Sequence, residues 1–267
     1  MEYDSIEGME ADCAKGLRHL LLACVDTKLL LGYHYGEWTF GTPELEAAVA
    51  SCSLSQAELG HVRLFCAVLH KHFGDDPDQI IEGRPAHEYA NPRFLDRSIP
   101  DWPAFVAMNY VVDLAATRLL HALRGSAFLP VRTNVEKMLD EERHHLHHGR
   151  GWFRTLAGGS RADRELLARR VGEALETVLE WMGPADHAED RALVAARVKA
   201  EDNGTVAEAV RGDVLALATQ MGLEVPHRDP TSFDGWDPAT RRVERGGPEA
   251  QILAHLRGSK NAVYKLS

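Results

Sequence analysis

The fold is decided by the stretch Glu58-Leu59-Gly60-His61, which has a counterpart in Glu142-Arg143-His144-His145. Each stretch places a carboxylate and an imidazole three residues apart, and on an α-helix residues i and i+3 lie on one face. A four-helix bundle holds two metal ions in this way when two helices each supply Glu-x-x-His and the other helices supply carboxylates. The two stretches therefore predict a helical bundle with a metal site between its helices.

The length and composition of the chain are those of one large domain. The chain has 267 residues, of which 45% are hydrophobic, and no low-complexity linker separates two self-contained patterns. We therefore expect a single helical domain over residues 1–267, with a C-terminal extension over about residues 185–267. The formal net charge of −10 argues against a nucleic-acid-binding protein, which needs a basic surface.

Several functional classes have no signature in the sequence. It contains neither a glycine-rich nucleotide loop nor the Gly-x-Ser-x-Gly elbow of a serine hydrolase. Residues 1–12 lack the apolar core of a signal peptide, and no apolar run approaches the ~20 residues that span a bilayer. We therefore expect a cytoplasmic protein with small buried thiols rather than disulfides at Cys13, Cys24, Cys52 and Cys66.

Apolar residues at helical spacing predict four long helices and several shorter ones. The long helices are expected at about residues 11–35, 43–73, 103–123 and 131–157, and the shorter ones at 162–182, 189–200, 205–221 and 248–256. The connection 75–103 is long and rich in Pro, Asp and Arg, as is typical of the crossover in a ferritin-like bundle. The predicted fold class is all-α: a ferritin-like four-helix bundle with a long crossover and extra C-terminal helices.

End signals delimit the first two helices. The Gly36-Glu37-Trp38 segment is expected to end the first helix, and Thr42 is a suitable N-cap for the second. Gly74 is the expected C-terminal stop of the second helix. Glu58 and His61 then fall past the middle of that helix, well inside the bundle.

The second helix carries the clearer of the two motifs. A surface ion pair between Glu58 and His61 is the alternative to a metal site. The neighbouring residues are largely apolar, which predicts that this face is buried; they are Leu54, Leu59, Val62 and Phe65. A metal site is therefore the preferred interpretation, because imidazole and carboxylate together suit iron, manganese and zinc.

The fourth helix leaves the choice of ligands open. Helical geometry permits three pairings: Glu141 with His144, Glu142 with His145, and Glu141 with His145. The apolar residues of this helix do not share a side with every histidine, so at least two of the histidines are expected at the surface. His147 and His148 are best explained as part of a polar helix face.

Asp113 interrupts an apolar run in the third helix, Tyr110-Val111-Val112-Asp113-Leu114. Burying a carboxylate is costly unless it is paired or binds a metal. Asp113 is therefore a candidate ligand. The structural alternative is an aspartate that is satisfied by Arg118 or by a buried lysine.

At these residues the sequence resembles the phenylacetic acid catabolic family of ferritin-like proteins. Within that family it resembles the catalytic (alpha) subunit of the multicomponent phenylacetyl-CoA epoxidase more than its shorter, metal-free paralogue. The matching features are Gly36-Glu37-Trp38, Glu58-Leu59-Gly60-His61, Gly83-Arg84, Val112-Asp113-x-Ala115-Ala116, Glu141-Glu142-x-x-His145, Gly183-Pro184 and Gly222-Leu223-x-Val225-Pro226.

The resemblance implies an iron site and selects Glu142 with His145 among the open pairings. The implied ligands are Glu58, His61, Asp113, Glu142 and His145. It further implies O2 activation at a di-iron centre and insertion of one oxygen atom into an aromatic ring held as a CoA thioester. A reductase and a paralogous structural subunit are the implied partners, in a homo- or hetero-oligomer.

Lys28 departs from this pattern. The catalytic subunit of the family has a glutamate ligand in its first helix, and counting back from Trp38 without a gap places Lys28 at that position. A charged lysine has no lone pair to donate to a metal, and its ammonium repels a nearby cation. If the side chain points outward instead, Lys28 is a surface residue that extends its ammonium into solvent.

Three outcomes follow if Lys28 faces the site. After a register shift, Asp26 or Glu37 could serve as the ligand. The site could hold one metal ion or a different metal pair. Finally, Lys28 could form a salt bridge with a site carboxylate and replace one metal ion by its charge; the candidate partners are Glu58, Asp113 and Glu142.

Three functional hypotheses remain at this point. The first is a di-iron monooxygenase of the phenylacetyl-CoA epoxidase type, with Glu58, Asp113 and Lys28 as its catalytic residues. The second is a metal-dependent oxidase or oxygenase with a different substrate and an altered metal site. The third is a non-catalytic structural subunit of such a complex. Candidate contacts for a CoA thioester are Arg84, Arg93, Arg97, Lys260 and Lys265.

Overall fold

A computed structural model describes residues 2–264 of the protein and places nine α-helices among them. Their bounds are α1 (Ala11–Trp38), α2 (Leu45–Phe73), α3 (Trp102–Ala107), α4 (Asp113–Leu123), α5 (Leu129–Ala157), α6 (Arg161–Met182), α7 (Ala188–Ala195), α8 (Asn203–Gln220) and α9 (Ala250–Leu256). Pairing between extended segments is limited, in this part of the chain, to two isolated bridges. The all-α prediction is confirmed.

Helix α1 is the central element of the bundle. Every residue from 20 to 32 is buried, so this helix is enclosed on all sides rather than on one stripe. It also runs one turn further than predicted, because Gly36-Glu37-Trp38 is its last turn and not a break. The Trp38 ring continues the core by packing against Trp102 and Phe105, with centroids 5.9 and 5.5 Å away.

Helix α2 lies beside α1 along most of its length. It begins at Leu45 and not at Thr42, because the Thr42 hydroxyl donates to the Glu44 carbonyl (3.1 Å) instead of accepting from a helix amide. Its predicted end at Phe73 is confirmed. Gly74 follows with φ 74°, a left-handed conformation that glycine adopts at low cost.

The long connection after α2 is held onto α1 by a buried ion pair. It contains one π-helical turn, Gln79–Gly83, and two 3-10 turns, Ala86–Glu88 and Arg93–Asp96. The Arg84 guanidinium binds the fully buried Asp26 carboxylate, which also accepts from the Ala90 amide at 2.8 Å. The crossover therefore closes over the middle of α1.

The third predicted helix is interrupted at the site. Between α3 and α4 the chain makes a π-helical turn, Met108–Val112, which inserts one extra residue and is frequent at functional sites. Helix α5 approaches this turn at Gly149, where a side chain would meet the Asn109 carbonyl oxygen at 3.1 Å. Close packing at Gly149 fixes the distance between Asp113 and the motif on α5.

The C-terminal segment packs against α6. The Arg241 guanidinium donates to the Trp181 and Met182 carbonyls at 2.7 Å each, and Trp236 donates to the Glu180 carbonyl at 3.0 Å. The predicted division near residue 185 stays a prediction. Within the described residues, none of the helices combines the length and apolar character that crossing a membrane requires.

Gly172 provides a test of how tightly α6 is packed. A Cβ atom at this position would lie 1.8 Å from the Pro226 carbonyl oxygen, whereas Gly212 in α8 has open space around it. We expect Gly172→Ala to lower the free energy of unfolding by about 1–3 kcal/mol through overpacking. The control Gly212→Ala is expected to leave stability unchanged or raise it by up to ~1 kcal/mol. Denaturant unfolding of both variants measures the difference, and equal stabilities would contradict the packing.

Candidate metal centre

Four helices bring all six of the predicted site residues to one buried point in the bundle. Lys28 comes from α1 and Asp113 begins α4, while α2 and α5 each contribute one Glu-x-x-His motif. All six side chains are buried, and they are Lys28, Glu58, His61, Asp113, Glu142 and His145. The i, i+3 spacing of both motifs places each glutamate and its histidine on the inner face.

The Lys28 ammonium occupies the middle of this cluster. Its Nζ atom lies 2.5 Å from Glu142 Oε1, 3.0 Å from Glu58 and 3.9 Å from Asp113 Oδ1. Lys28 is 1% exposed, so the interpretation as a surface lysine is wrong. The salt bridge that was one of the predicted outcomes is present, and it bridges the two motif glutamates.

The alternative ligands from the first helix lie elsewhere. Asp26 is engaged by Arg84 on the crossover, and Glu37 is exposed at the end of α1. A register shift is therefore excluded. Asp113 is not paired with Arg118, whose guanidinium binds Asp213 instead (Nε to Oδ2, 3.1 Å).

The two imidazoles flank the carboxylates from opposite sides. His145 Nδ1 lies 3.3 Å from Glu58 and 3.4 Å from Asp113. His61 Nδ1 lies 3.3 Å from Glu142, and its Nε2 is 2.7 Å from Glu141. Neither Nδ1 atom makes a well-directed hydrogen bond, although both are fully buried. Each motif thus contacts the carboxylate of the other.

A second ring of polar side chains holds the carboxylates in place. Tyr35 donates its phenolic hydrogen to Asp113, and the Asn109 amide donates to the same carboxylate at 3.1 Å. The Thr117 hydroxyl donates to Glu142 Oε2 at 3.0 Å. These contacts satisfy carboxylate oxygens that Lys28 does not reach, as a buried polar network requires.

These outer residues were missed by the sequence analysis, although a spacing signal was present. Asn109 and Thr117 lie four residues before and after Asp113, and such neighbours share a helix face. Tyr35 lies seven residues, or two turns, after Lys28. Glu141 is half-buried at the rim and binds His61, so both acidic residues of the α5 pair contact the site.

Burial and the lysine set the protonation of the carboxylates. Burial alone would raise the pKa of Glu58, but the Lys28 ammonium outweighs it and holds that pKa well below its usual range. Burial, together with the neighbouring Glu58 charge, raises the pKa of Asp113 to about 6. At neutral pH all three inner carboxylates are therefore ionised, because the pKa of Glu142 is also lowered, by Lys28 against the effect of burial.

The imidazoles are charged at neutral pH. Burial works against protonation of His61, but the carboxylates of Glu142 and Glu58 outweigh it and raise its pKa to about 9. The pKa of His145 is raised well above its ordinary value by Asp113 and Glu58, again against the effect of burial. Two imidazolium ions and one ammonium then balance three carboxylates, and the cluster is electrically neutral.

The donor set itself is suitable for a cation. Glu58, Asp113, Glu142 and His145 each offer a ligand atom, and these four atoms lie within 4.8 Å of one another. Two divalent ions do not fit these residues, because the Lys28 ammonium fills the space between the motif glutamates and adds to the positive charge. A single divalent ion would balance the charge if both imidazoles were neutral.

Other predicted positions have different surroundings. His144 and His147 are exposed, which confirms that at least two histidines lie at the surface, whereas His148 is half-buried and contacts Asn109 Oδ1 (2.7 Å). Cys52 and Leu59 are wrong predictions, since both side chains are exposed on the outer face of α2.

The basic residues considered for CoA binding are largely engaged in ion pairs. Arg84 binds Asp26, and Arg93 binds Glu180 at 2.5 Å. Arg97 remains exposed and lies 3.9 Å from Glu249. Lys265 and the side chain of Lys260 lie outside the described residues, so that the prediction of a CoA contact is not tested there.

The helical bundle and its buried carboxylate–imidazole cluster define a protein of the ferritin-like class. Residues 2–238 match the family model described as "Phenylacetic acid catabolic protein", and the chain belongs to that family. The predicted family and the predicted ferritin-like fold are thereby confirmed.

Two curated relatives are similar to the chain. One of the subunits of the 1,2-phenylacetyl-CoA epoxidase of Escherichia coli (strain K12) is 25% identical over 202 residues, which are 75% of this chain and 80% of the relative. Component B of the benzoyl-CoA oxygenase of Aromatoleum evansii is 34% identical over 93 residues, 32% of this chain and 20% of the relative. The more specific likeness to the catalytic (alpha) subunit stays a prediction.

Removal of the buried ammonium tests the salt-bridge cluster. Lys28→Met keeps the aliphatic volume but leaves buried carboxylates without their cation, so we expect the free energy of unfolding to fall by about 3–5 kcal/mol. The matched control is Lys15→Met, because the Lys15 ammonium pairs with Glu189 at 3.1 Å but its side chain is 62% exposed. That change should stay within ~0.5 kcal/mol. Equal losses in the two variants would contradict a dominant role for Lys28.

The charged imidazole gives stability a pH dependence. The pKa of His61 is about 9 in the fold and 6.5 when unperturbed, so its stabilisation is complete below pH 6.5 and is lost as the pH rises through 9. For metal-free protein we expect a fall of about 3 kcal/mol over this interval, at ~1.4 kcal/mol per pKa unit. Denaturant unfolding at several pH values measures it, and His61→Gln should flatten the curve.

His34 supplies the control for this experiment. Burial lowers the pKa of this histidine to about 4, so that it is neutral throughout the interval. His34→Gln should therefore keep the slope of the wild-type protein, whatever it does to absolute stability. A slope that disappears in this variant as well would show that His61 is not its source.

Proposed function

We propose that this chain is a subunit of a multicomponent oxygenase that acts on an aromatic acyl-CoA thioester, and that it contributes structure rather than a two-iron centre. The family and the names of the two relatives, an epoxidase subunit and an oxygenase component, support the first part. A single observation carries the second: the Lys28 ammonium bridges Glu58 and Glu142 where a metal pair would lie.

The argument for a metal-free centre rests on charge. A buried cluster is stable when its charges balance and its hydrogen-bonding groups have partners. Lys28, together with the two imidazolium ions, already balances the three inner carboxylates. Two divalent ions would add four positive charges to a site that still contains the ammonium, and the mutual repulsion would be strong at these distances.

The proposed division of labour follows from this balance. The oxygen-activating metal centre would belong to a paralogous catalytic subunit, and electrons would come from a separate reductase. In this chain the same bundle would be held together by ion pairs in place of metal–ligand bonds. The catalytic roles expected for Glu58, Asp113 and Lys28, and iron as cofactor, stay predictions.

A second candidate function is a metal-dependent oxidase or oxygenase with one metal ion. It is supported by the clustered donor atoms of Glu58, Asp113, Glu142 and His145 and by the unpartnered Nδ1 atom of His145. A bound iron would supply O2 activation at this point. Lys28 would then keep its contact with Glu142 and hold that carboxylate in a charged, fixed position.

Metal analysis separates the candidates. Protein purified from iron-supplemented cells should contain well under one metal ion per chain, and it should not oxygenate an aromatic acyl-CoA when supplied with a reductase. Lys28→Glu restores a fourth carboxylate, and we expect it to raise the bound iron several-fold. Elemental analysis by mass spectrometry measures both proteins.

Two comparisons make the result decisive. Lys28→Met removes the ammonium without adding a ligand, so a gain in iron limited to Lys28→Glu identifies the carboxylate as the missing element. One metal ion per wild-type chain would favour the second candidate, provided that Glu58→Ala abolishes it. Two irons per wild-type chain would refute the proposal and support the di-iron monooxygenase.

A further inference from the structure

The outer face of α2 lacks exposed charge over four turns. Between Glu46 and Arg63 the one Asp, Glu, Lys or Arg residue is Glu58, which is buried in the cluster. Three large apolar side chains project from the same helix into solvent, namely Leu45 (74% exposed), Val49 (64%) and Leu59 (41%). In a chain with 26% charged residues, such a face is unusual for a helix that borders only water.

The exposed residues of this face follow a coiled-coil spacing. Successive positions are four, three, four, three and four residues apart, and they are Leu45, Val49, Cys52, Gln56, Leu59 and Arg63. This alternation is the seam along which one helix packs against another. We call these six residues the α2 seam. The opposite side of the helix, at Ala47, Leu54 and His61, is buried in the bundle.

The α2 seam is complementary to itself in the antiparallel direction. If two copies of α2 are related by a two-fold axis at the level of Leu54, each seam residue faces a different seam residue. Val49 then packs against Leu59 of the second copy, and Cys52 packs against Gln56. These are the pairings of an antiparallel coiled coil, and a two-fold interface requires such self-complementarity.

The charges at the two ends of the seam point in the same direction. Glu44 and Glu46 lie at the start of α2, and Arg63 lies at the far end of the seam. Antiparallel pairing brings the acidic end of one helix beside the basic end of the other, at both ends of the interface. A parallel pair would instead place like charges together.

We propose that the α2 seam is the docking surface for a second copy of this chain, with the two α2 helices antiparallel across a two-fold axis. The self-complementary order of its residues and charges selects a second copy over a different subunit. The proposal goes beyond the proposed function, because it holds whether or not the buried centre binds a metal.

Site-specific disulfide formation tests the register. Cys52 is exposed while the other three cysteines are buried. In the antiparallel pair the two Cys52 residues are offset by four residues, about 6 Å along helices that lie about 8–10 Å apart. That separation exceeds the ~7 Å limit for a disulfide. Gln56→Cys, by contrast, places a new thiol opposite Cys52 of the second copy.

The expected result is a disulfide-linked dimer of Gln56→Cys after mild oxidation of the full chain. Neither the wild-type protein nor the double variant Cys52→Ser with Gln56→Cys should form this dimer, because each has only one of the two thiols. Rapid disulfide formation by wild-type Cys52 would indicate a parallel pair and overturn the proposal. Absence of the cross-link in all three proteins would overturn it as well.

The mass of the protein in solution gives an independent measurement. Sedimentation should show a dimer for the wild-type chain and a monomer for Val49→Glu and Leu59→Glu. The control Val243→Glu changes a side chain of similar exposure (37%) outside the seam and should leave the dimer intact. Charge reversal adds a test of orientation: Glu46→Lys should weaken the dimer about tenfold or more, and Arg63→Glu in the same chain should restore it. A monomeric wild-type protein up to millimolar concentration would refute the proposal.

Discussion

A single buried ammonium is the constraint on which the rest of the structure depends. Lys28 lies among three carboxylates that are all withdrawn from solvent, and desolvating such charges is costly unless each one meets a partner. The partners come from four different helices. The bundle can therefore be completed only when α1, α2, α4 and α5 reach their positions together, so that the ion pairs specify the relative depth of the helices as well as stabilising them.

The surrounding fold keeps water away from this cluster. Helix α1 is enclosed on all sides because the crossover closes over it, and the Asp26–Arg84 pair fastens that crossover one half-turn away from Lys28. On the far side, the π-helical turn before Asp113 directs Asn109 and Tyr35 at the same carboxylate. Low local dielectric strengthens each of these contacts, and it also makes an unpartnered charge at the centre expensive.

Sequence reasoning reached the bundle and the cluster but not the outer surface. The Glu-x-x-His spacing identified Glu58 and His61, because i, i+3 geometry is the same in every helix. It could not decide how Lys28 points, since α1 is apolar on every side and has no amphipathic phase that would orient one residue. Leu59 and Cys52 were misplaced for a related reason: an apolar seam that awaits another helix has the same pattern as a face that already packs in the core. The π-helical turn leaves no trace in composition, so Asn109 was missed.

The charge of Lys28 explains why its position matters more than its chemistry. A bundle site with four carboxylates is neutral with two divalent ions and two uncharged imidazoles. Replacing one glutamate by lysine removes a negative charge and adds a positive one, a change of two units, which equals the charge of one divalent ion. The three remaining carboxylates and the ammonium then require two more positive charges. Either one divalent ion or the protonation of His61 and His145 supplies them. The raised pKa values of both imidazoles show that the metal-free bundle takes the second course, so that any metal entering this site must displace two protons from histidines that are already stabilised by the same carboxylates.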